Sequence, residues 1–332
     1  MVMSSPKSAQ EAIDRVAYSA QRTVEKGLHK LEFRAMGTLC RVHCHGVSTE
    51  AAQDFQRAAL AWTGQFEARY SRFIPDSLIS RINAAAGEHW VEIDPDMERI
   101  FALCQELFFF TRRAFDPTSL PLIQLWNWKQ QPHTIPSHDA IRAALELVGW
   151  NKVERRPGGV FLPRAGMSID LGGIGKEYAV DCVMNLAIER GIPNVMVDFG
   201  HDVRVRGHAP DRKFWWIGLE NPHAAGQCWT GVAVTDHAVA TSGDTQRFFE
   251  HNGRRYSHIL DPRTGYPADN GCRAVSVIAP SCTIAGLFST TVFILGEKEG
   301  LQLIETHPGA AGVITSHTTQ FYTKRFHDYI PA

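Results

Sequence analysis

The sequence predicts an α+β protein in which flanking helices cover a mostly antiparallel sheet. Segments with helical periodicity dominate up to about residue 190, whereas short alternating segments separated by turn residues follow from about 194 to 278. These short segments are too close along the chain for the crossovers that parallel strands require. A hydrophobic content of 44% over 332 residues is enough for a sizeable core, in one large domain or two closely joined lobes.

The first thirty residues predict an amphipathic helix. Ser8 followed by Glu11 forms a capping pattern, apolar residues recur at helical spacing, and Gly27 predicts the stop. We therefore expect residues 1–30 to be a helical extension and residues 31–332 to be a single domain. The extension lacks the pattern of a signal peptide, and the chain contains no apolar run of about 18 residues. We expect a cytoplasmic protein without a membrane partner.

The remaining elements follow from periodicity and from cap and turn signals. Helices are predicted at residues 51–70, 95–113, 137–149 and 176–190, and a helix pair is predicted at 285–305, before a short closing strand pair. Strands are predicted at residues 31–45, 158–162, 167–171, 194–199, 203–207, 215–219, 229–234, 238–241, 247–250, 256–259 and 274–278. The alternation between Trp215 and Val234 is compatible with a homodimer contact or with a core.

Charge and cysteine content narrow the function classes. The chain has 34 Lys and Arg against 35 Asp and Glu, without blocks of like charge, so we expect no nucleic-acid partner. Its seven cysteines are scattered and are expected to be reduced core residues. Alternation places Cys40 and Cys44 on one strand face and His43 and His45 on the other, which argues against a metal site there.

A strand, a glycine turn and a helix start follow one another between Asp170 and Lys176. Gly172, Gly173 and Gly175 would let a ligand approach the backbone closely, and the helix N-terminus behind them favours negative charge. Lys176 would add a cation for a phosphate. Close packing explains the same glycines equally well, and their spacing is not that of a dinucleotide-binding fingerprint.

The region from Thr241 to Gly265 combines hydroxyls, carboxylates, a histidine and an arginine with glycines, which is typical of a site for a phosphate-bearing ligand. A histidine with a pKa near neutral, such as His258, can take a proton from an attacking hydroxyl. Arg263 lies in an Asp-Pro-Arg-Thr-Gly segment, which is also favourable turn chemistry by itself.

Eight short segments occur in the order found in one known family. They are Phe33–Thr38, Ser71–Asn83, Phe115–Trp126, Asp170–Asp181, Trp216–Pro222, Thr241–Gly243, Ser257–Gly265 and Ala285–Gly296. This ordered set resembles the ApbE-type flavin transferases, which move FMN from FAD onto a protein hydroxyl. The resemblance covers about residues 31 to 325.

The resemblance implies an ApbE-like, T-fold-related architecture of two lobes, and it implies roles by position. Contacts with FAD are implied for Met36, Thr38, Phe73, Asp116, Thr118, Gly172, Gly173, Lys176, Ser242, Gly243, His258 and Asp261. His258, helped by Asp261, would accept the proton of the acceptor hydroxyl, while Lys176 would hold phosphate oxygens. The backbone carbonyl of Gly173 and the side chain of Thr290 would help to hold Mg²⁺.

Several polar positions depart from the family pattern. Family members typically carry an aspartate that holds magnesium where this chain has Gly286. The other departures are Lys176-Glu177 for Lys-Gly, Gly200-His201-Asp202 for Gly-Gly-Asp, Thr245 for a tyrosine and Phe73 for a tyrosine. Loss of a hard oxygen ligand predicts weaker magnesium binding. Glu177, Asp244 and His201 are the candidates to restore a metal site.

Two enzymatic functions follow from these residues. The favoured one is transfer of FMN from FAD to a Ser or Thr of a cytoplasmic flavoprotein, with release of AMP. The alternative is an enzyme that keeps FAD as a bound cofactor and acts on a small molecule, with His201 and Glu177 facing that substrate. A non-catalytic flavin carrier is the third hypothesis.

Overall fold

The computed structural model describes residues 6–128, 130, 133–224, 226–245 and 247–331. The helices are α1 (Ala9–Tyr18), α2 (Thr49–Tyr70), α3 (Leu78–Ala84), α4 (Pro95–Phe110), α5 (Leu120–Trp126), α6 (His138–Leu145), α7 (Gly175–Glu189), α8 (Cys282–Leu295) and α9 (Glu297–Glu305). Short 3-10 turns occur at Trp150–Lys152 and Phe326–Tyr329. Among the described residues, no helix combines the length and the apolar character needed to cross a membrane.

The strands form one large sheet and several small ones. They are β1 (Gln21–Glu25), β2 (Leu28–Ala35), β3 (Thr38–His45), β4 (Val91–Glu92), β5 (Glu154–Arg156), β6 (Gly159–Phe161), β7 (Asn194–Phe199), β8 (Asp202–Arg206), β9 (Trp215–Glu220), β10 (Cys228–Val234), β11 (Ala238–Gly243), β12 (Phe248–His251), β13 (Arg254–Ser257), β14 (Leu260–Asp261), β15 (Tyr266–Pro267), β16 (Cys272–Ala279), β17 (Ala311–Ser316) and β18 (Gln320–Tyr322). The large sheet has the order β1-β2-β3-β7-β8-β11-β16-β17-β18. Its neighbouring strands pair antiparallel, which confirms the predicted α+β class.

The two faces of this sheet carry separate hydrophobic clusters. On β11, Ala238 and Ala240 join the larger cluster with α2, α4, α7 and α8, whereas Val239 joins a second cluster. The β9–β10 hairpin covers that second face with buried Trp215 and Val232. The alternation between Trp215 and Val234 therefore builds a core within the chain. Trp216 points the other way and is 46% exposed.

The N-terminal helix is shorter than the sequence predicts. Ser8 caps it as expected by accepting a hydrogen bond from the N–H of Glu11 at 3.2 Å. The helix ends at Tyr18, and β1 then pairs with β2 at the edge of the large sheet. Helical spacing continues past Tyr18 in the sequence, but strand pairing with β2 overrides this local preference. α1 packs on α2, where Arg15 pairs with Glu67 at 2.6 Å, so this segment is built into the main body.

The predicted strand at 31–45 is a hairpin of β2 and β3. Its turn is Met36-Gly37, in which both residues have positive φ. Cys40 and Cys44 are fully buried on one face and the two histidines lie on the other, as the alternation predicts. All seven cysteines are free.

The predicted strand at 167–171 pairs with no strand among the described residues. The Asn83 side chain takes the place of a strand neighbour: its Nδ2 donates to the carbonyl of Ile169 at 2.9 Å, and its Oδ1 accepts from the N–H of Ile169 at 2.7 Å. The N–H of Asp170 donates to the carbonyl of Pro117 at 2.8 Å. Loop and side-chain groups thus form the hydrogen bonds with the backbone of this extended segment that a neighbouring strand would otherwise form. The segment leads into the glycine turn.

Replacement of Asn83 by alanine is expected to lower the free energy of unfolding by about 1–3 kcal/mol, because two backbone groups of Ile169 lose their partners in a partly buried place. Denaturant unfolding followed by circular dichroism measures the change. Asn151→Ala, at an exposed position, is the matched control and should change stability by less than about 0.5 kcal/mol. Equal effects of the two variants would contradict this role of Asn83.

Candidate functional site

Two tight turns lie side by side at one end of the large sheet. Met36-Gly37 joins β2 to β3, Gly200-His201 joins β7 to β8, and β3 pairs with β7. All four turn residues have positive φ. A Cβ at position 200 would lie only 2.5 Å from Oγ1 of Thr38, so glycine is required there. The predicted FAD contacts Met36 and Thr38 are therefore adjacent to the turn that leads to Asp202.

Lys176 brings its charge to this end of the sheet from the first turn of α7. Its Nζ forms an ion pair with the buried carboxylate of Asp202 on β8. Burial opposes the charge of Lys176, but the carboxylates of Glu177 and Asp202 outweigh this effect and raise the pKa of Lys176. Lys176 is therefore a cation at neutral pH, as the sequence predicts.

The glycine turn uses several of its own N–H groups. Gly172 donates to Oδ1 of Asp170 at 3.0 Å, and Gly175 donates to the carbonyl of Leu171 at 2.7 Å. In this structure, the N–H of Gly172 thus stabilises the turn. A Cβ at Gly173 would lie 3.3 Å from the ring of Phe115, and Gly173 itself is exposed. The start of α7 adds the partial positive charge of the helix dipole at this end.

Arg72 and Phe73 lie beside this turn. The Nε of Arg72 donates to Oδ2 of Asp170 at 2.9 Å, and its guanidinium lies 4.1 Å from the centre of the Phe73 ring. Phe73 is 50% exposed. An exposed aromatic ring held by a cation suits stacking on a planar ligand, which is compatible with the predicted FAD contact.

Asp116 and Thr118 are buried and bonded to their own loop. The Asp116 carboxylate accepts from the Thr118 N–H at 2.8 Å, from the Thr118 hydroxyl at 2.6 Å and from the Trp150 N–H at 3.1 Å. The Thr118 hydroxyl accepts from the Gly149 N–H at 2.7 Å. Burial raises the pKa of Asp116 against the effect of these bonds. The structure gives both side chains a role in holding the loop, and their contact with FAD stays a prediction.

His258 is held in one orientation by a backbone carbonyl. Its Nδ1 lies 3.0 Å from the carbonyl oxygen of Arg247, and its N–H donates to the same oxygen at 3.1 Å. Because a carbonyl only accepts, Nδ1 carries the hydrogen and Nε2 keeps its lone pair. Burial, reinforced by the charge of Arg247, lowers the pKa of His258 to about 4. The imidazole is therefore neutral at pH 7, and it is a weaker base than the near-neutral pKa expected from the sequence would make it.

Asp261 binds Arg263 in the turn that follows His258. Its Oδ1 accepts from the Arg263 N–H at 2.9 Å and from Nε at 2.8 Å, and its Oδ2 accepts from Nη2 at 2.8 Å. The expected assistance of Asp261 to His258 has no counterpart among these contacts, because the adjacent guanidinium occupies both carboxylate oxygens. The Arg247 carbonyl, which no side-chain pattern could reveal, orients the imidazole instead.

Ser242 connects the end of β11 to α8. Its Oγ lies 2.8 Å from Oγ of Ser289 and 2.8 Å from Oγ1 of Thr290. At the next residue, a Cβ on Gly243 would lie 3.0 Å from the carbonyl oxygen of Arg273, which limits this position to a small residue. Thr290, the predicted metal ligand, thus belongs to a hydroxyl cluster at the same end of the sheet.

Asp244 and His201 have other partners. The buried Asp244 carboxylate forms ion pairs of 2.9 Å with Nε of Arg255 and with Nη1 of Arg273. His201 is exposed, and its N–H donates to Oδ1 of Asp198 at 2.8 Å. Asp244 is therefore neutralised by two guanidinium groups, and it is a poor replacement for a magnesium ligand.

Glu177 is incompletely bonded and, unlike Asp244, forms no ion pair with an arginine among the described residues. It is buried, and Oε2 has no hydrogen-bond partner among the described residues. Burial, with the negative charge of Asp202 added, raises its pKa above the usual range. A hard divalent cation suits such an oxygen. In the part of the chain that the structure describes, no three His, Cys, Asp or Glu residues are grouped for a metal. A cation here would also need hydroxyl, carbonyl, water or phosphate oxygens.

Asp181 is a structural residue that sequence reasoning did not single out. On the α7 face one turn after Glu177, its carboxylate accepts from the N–H groups of Cys282 at 2.9 Å and Thr283 at 2.8 Å, and from Nη1 of Arg204 at 2.8 Å. It therefore ties α8 and β8 to α7 around the site. An acidic residue on an otherwise apolar helix face was the available signal.

Comparison with known proteins gives consistent results. The model of the ApbE family matches residues 36–314. An FAD:protein FMN transferase of Treponema pallidum is 33% identical over 296 residues, covering 82% of this chain and 80% of its own length. One from Klebsiella pneumoniae is 32% identical over 228 residues, covering 68% of this chain and 70% of its own length.

Solved structures agree with this result. The ApbE protein from Thermotoga maritima has a TM-score of 0.82 and 29% identity, and the match covers 94% of this chain and 100% of that chain. The apo form of the flavinyl transferase ApbE from Pseudomonas stutzeri has a TM-score of 0.79 and 28% identity, with 94% of this chain and 98% of that chain covered.

Proposed function

The chain belongs to the ApbE family, and from that premise we propose that it transfers FMN from FAD to a Ser or Thr hydroxyl of an acceptor flavoprotein and releases AMP. The observation that carries this proposal is the state of His258: a neutral imidazole whose Nδ1 is engaged by the Arg247 carbonyl and whose Nε2 keeps its lone pair. A neutral imidazole with a free ring nitrogen can take the proton of an attacking hydroxyl.

In the proposed reaction, Nε2 of His258 accepts the proton of the acceptor hydroxyl. The hydroxyl oxygen forms a bond to the phosphorus on the FMN side of the pyrophosphate. The bond from that phosphorus to the bridging oxygen breaks, and the bridging oxygen leaves with AMP. Atoms and charge balance without an oxidant or a reductant, so the flavin ring is carried without being reduced.

Positive charge for the phosphate oxygens comes from Lys176 and from the N-terminal end of the α7 helix dipole. Lys176 is held at the end of the sheet by Asp202, which fixes its ammonium group before the ligand arrives. Preorganised charge of this kind stabilises a transition state without reorganisation at the moment of reaction.

Mg²⁺ is part of the proposal. When bound, it would neutralise charge on the pyrophosphate and stabilise AMP as a leaving group. The Thr290 hydroxyl and the Gly173 carbonyl are the ligands that the family pattern implies. The hydroxyl cluster of Ser242, Ser289 and Thr290 supports the first of these, because it supplies oxygen atoms on α8, and α8 packs on α7, the helix that carries Glu177.

The test is incubation of the purified protein with FAD, Mg²⁺ and an acceptor flavoprotein, followed by denaturation and chromatography of the nucleotides. AMP should appear together with FMN, either free or attached to protein. FAD that remains intact at unit stoichiometry would contradict the proposal and would favour an enzyme that keeps FAD as its cofactor for a small-molecule substrate.

A further inference from the structure

Two departures from the family pattern touch each other in the structure. Glu177 lies in the first turn of α7 and Gly286 lies in α8. A Cβ built on Gly286 would lie 2.4 Å from Cγ of Glu177 and 3.0 Å from its Cδ and Oε1. Since non-bonded atoms do not approach so closely, Glu177 fills the volume that a side chain at position 286 would occupy.

The carboxylate in that volume is incompletely bonded. Glu177 is 8% exposed, and its Oε2 has no hydrogen-bond partner among the described residues. A buried carboxylate oxygen without a donor is costly, and such an atom in a native site calls for an unseen ion or water. Lys176, next to it in the chain, interacts with Glu177 through its charge but forms its ion pair with Asp202.

The surroundings supply further oxygen atoms of the kind that magnesium prefers. Thr290 lies one helical turn after Gly286 on the same side of α8, and its hydroxyl contacts Ser242. Of the three candidates to replace the family aspartate, His201 is exposed, and the charge of Asp244 is balanced by two arginines at Oδ2, although its Oδ1 also has no hydrogen-bond partner among the described residues. Glu177 remains, and it lies where the missing side chain would be.

We propose that positions 177 and 286 carry a reciprocal exchange of carboxylate and glycine. Glu177 on α7 holds the divalent cation, which in the family is held by an aspartate on α8 at the position of Gly286. The presence of that cation rests on the proposed function. The exchange keeps one carboxylate in the pocket and moves its anchor from one helix to the other. One carboxylate with hydroxyl, carbonyl, water and phosphate oxygens is a donor set that suits magnesium.

The test is a titration of the full-length protein with Mn²⁺ in the presence of FAD, with free Mn²⁺ measured by electron paramagnetic resonance. Glu177→Gln keeps the size of the side chain and removes its charge, and we expect it to weaken Mn²⁺ binding by about 10-fold to 100-fold, as loss of metal-site partners typically does. Glu189→Gln, an exposed glutamate on the same helix, should bind Mn²⁺ like the wild type.

A second variant tests the exchange itself. Gly286→Asp alone should lower the melting temperature, because the new side chain collides with Glu177. The double variant Glu177→Gly with Gly286→Asp should recover most of the Mn²⁺ affinity and the melting temperature. If Glu177 had only a structural role, Glu177→Gln would destabilise the metal-free protein and leave the Mn²⁺ affinity unchanged.

Unchanged Mn²⁺ affinity in folded Glu177→Gln protein would overturn the exchange, as would a folded double variant that binds no better than Glu177→Gln. If the double variant does not fold, the Glu177→Gln titration decides alone. These outcomes are separate from transfer. If Mn²⁺ binding depends on Glu177 but no AMP forms, the proposed function is wrong and the exchange stands. If AMP forms but Mn²⁺ binding does not depend on Glu177, the exchange is wrong and the proposed function stands.

Discussion

Replacement of His258 by alanine is expected to lower the rate of FMN transfer by about 10²-fold to 10⁴-fold, the range that general-base catalysis contributes. The imidazole is neutral and its Nδ1 is engaged by the Arg247 carbonyl, so the variant loses the free Nε2 and little else. AMP release from FAD with an acceptor protein measures the rate, and fluorescence titration measures FAD affinity, which should stay close to the wild-type value.

The matched control for His258 is His251→Ala. His251 is an exposed histidine at the end of β12, a few residues earlier in the same part of the chain. The His251→Ala variant should transfer FMN at the wild-type rate. Transfer by His258→Ala at the control rate would remove the histidine from the mechanism, and a large loss of FAD affinity would make it a binding residue instead.

Replacement of Asp181 by alanine is expected to lower the free energy of unfolding by about 3–5 kcal/mol, the cost typical of breaking a buried ion pair. Asp181 accepts hydrogen bonds from the start of α8 and from Arg204, and the variant leaves the guanidinium and two N–H groups without their acceptor. Chemical denaturation of the metal-free protein measures the change.

Asp211→Ala provides the comparison for Asp181. Asp211 is exposed in the segment before β9, and a surface substitution of this kind changes stability by less than about 0.5 kcal/mol. If Asp181→Ala unfolded at the same denaturant concentration as Asp211→Ala, the junction of α7, α8 and β8 would not depend on this carboxylate. FAD affinity should fall with Asp181→Ala, because both helices of the site lose their common anchor.

Much of the fold could be predicted from local signals. The caps Ser8, Ser137 and Asp94 accept hydrogen bonds from the third N–H group beyond them, as expected of helix starts. Alternation correctly placed Cys40 and Cys44 inside. The errors lie where pairing overrides the local pattern. β1 pairs with β2 across a short turn instead of extending α1, and the side chain of Asn83, which is distant in sequence, replaces a strand neighbour for residues 167–171.

The same distinction between local sequence signals and contacts made in the folded chain applies to the candidate site. The ordered motifs identified segments that meet at one end of the sheet, including those of Thr38, Lys176 and Ser242. They did not reveal which contacts each side chain makes there. Asp261 was expected to assist His258 and binds Arg263, and Asp116 holds its own loop.

By itself, the sequence determined the α+β class, most helices and strands, the family and the residue types available for phosphate chemistry, because these depend on local periodicity, caps and short motifs. The tertiary structure alone decided that Glu177 lies against Gly286, that Asp244 is neutralised by two arginines and that Arg247 orients His258. The physical reason is that charge, burial and hydrogen bonding are set by neighbours in space. Residues far apart in the chain become neighbours only when α7, α8 and the sheet pack together.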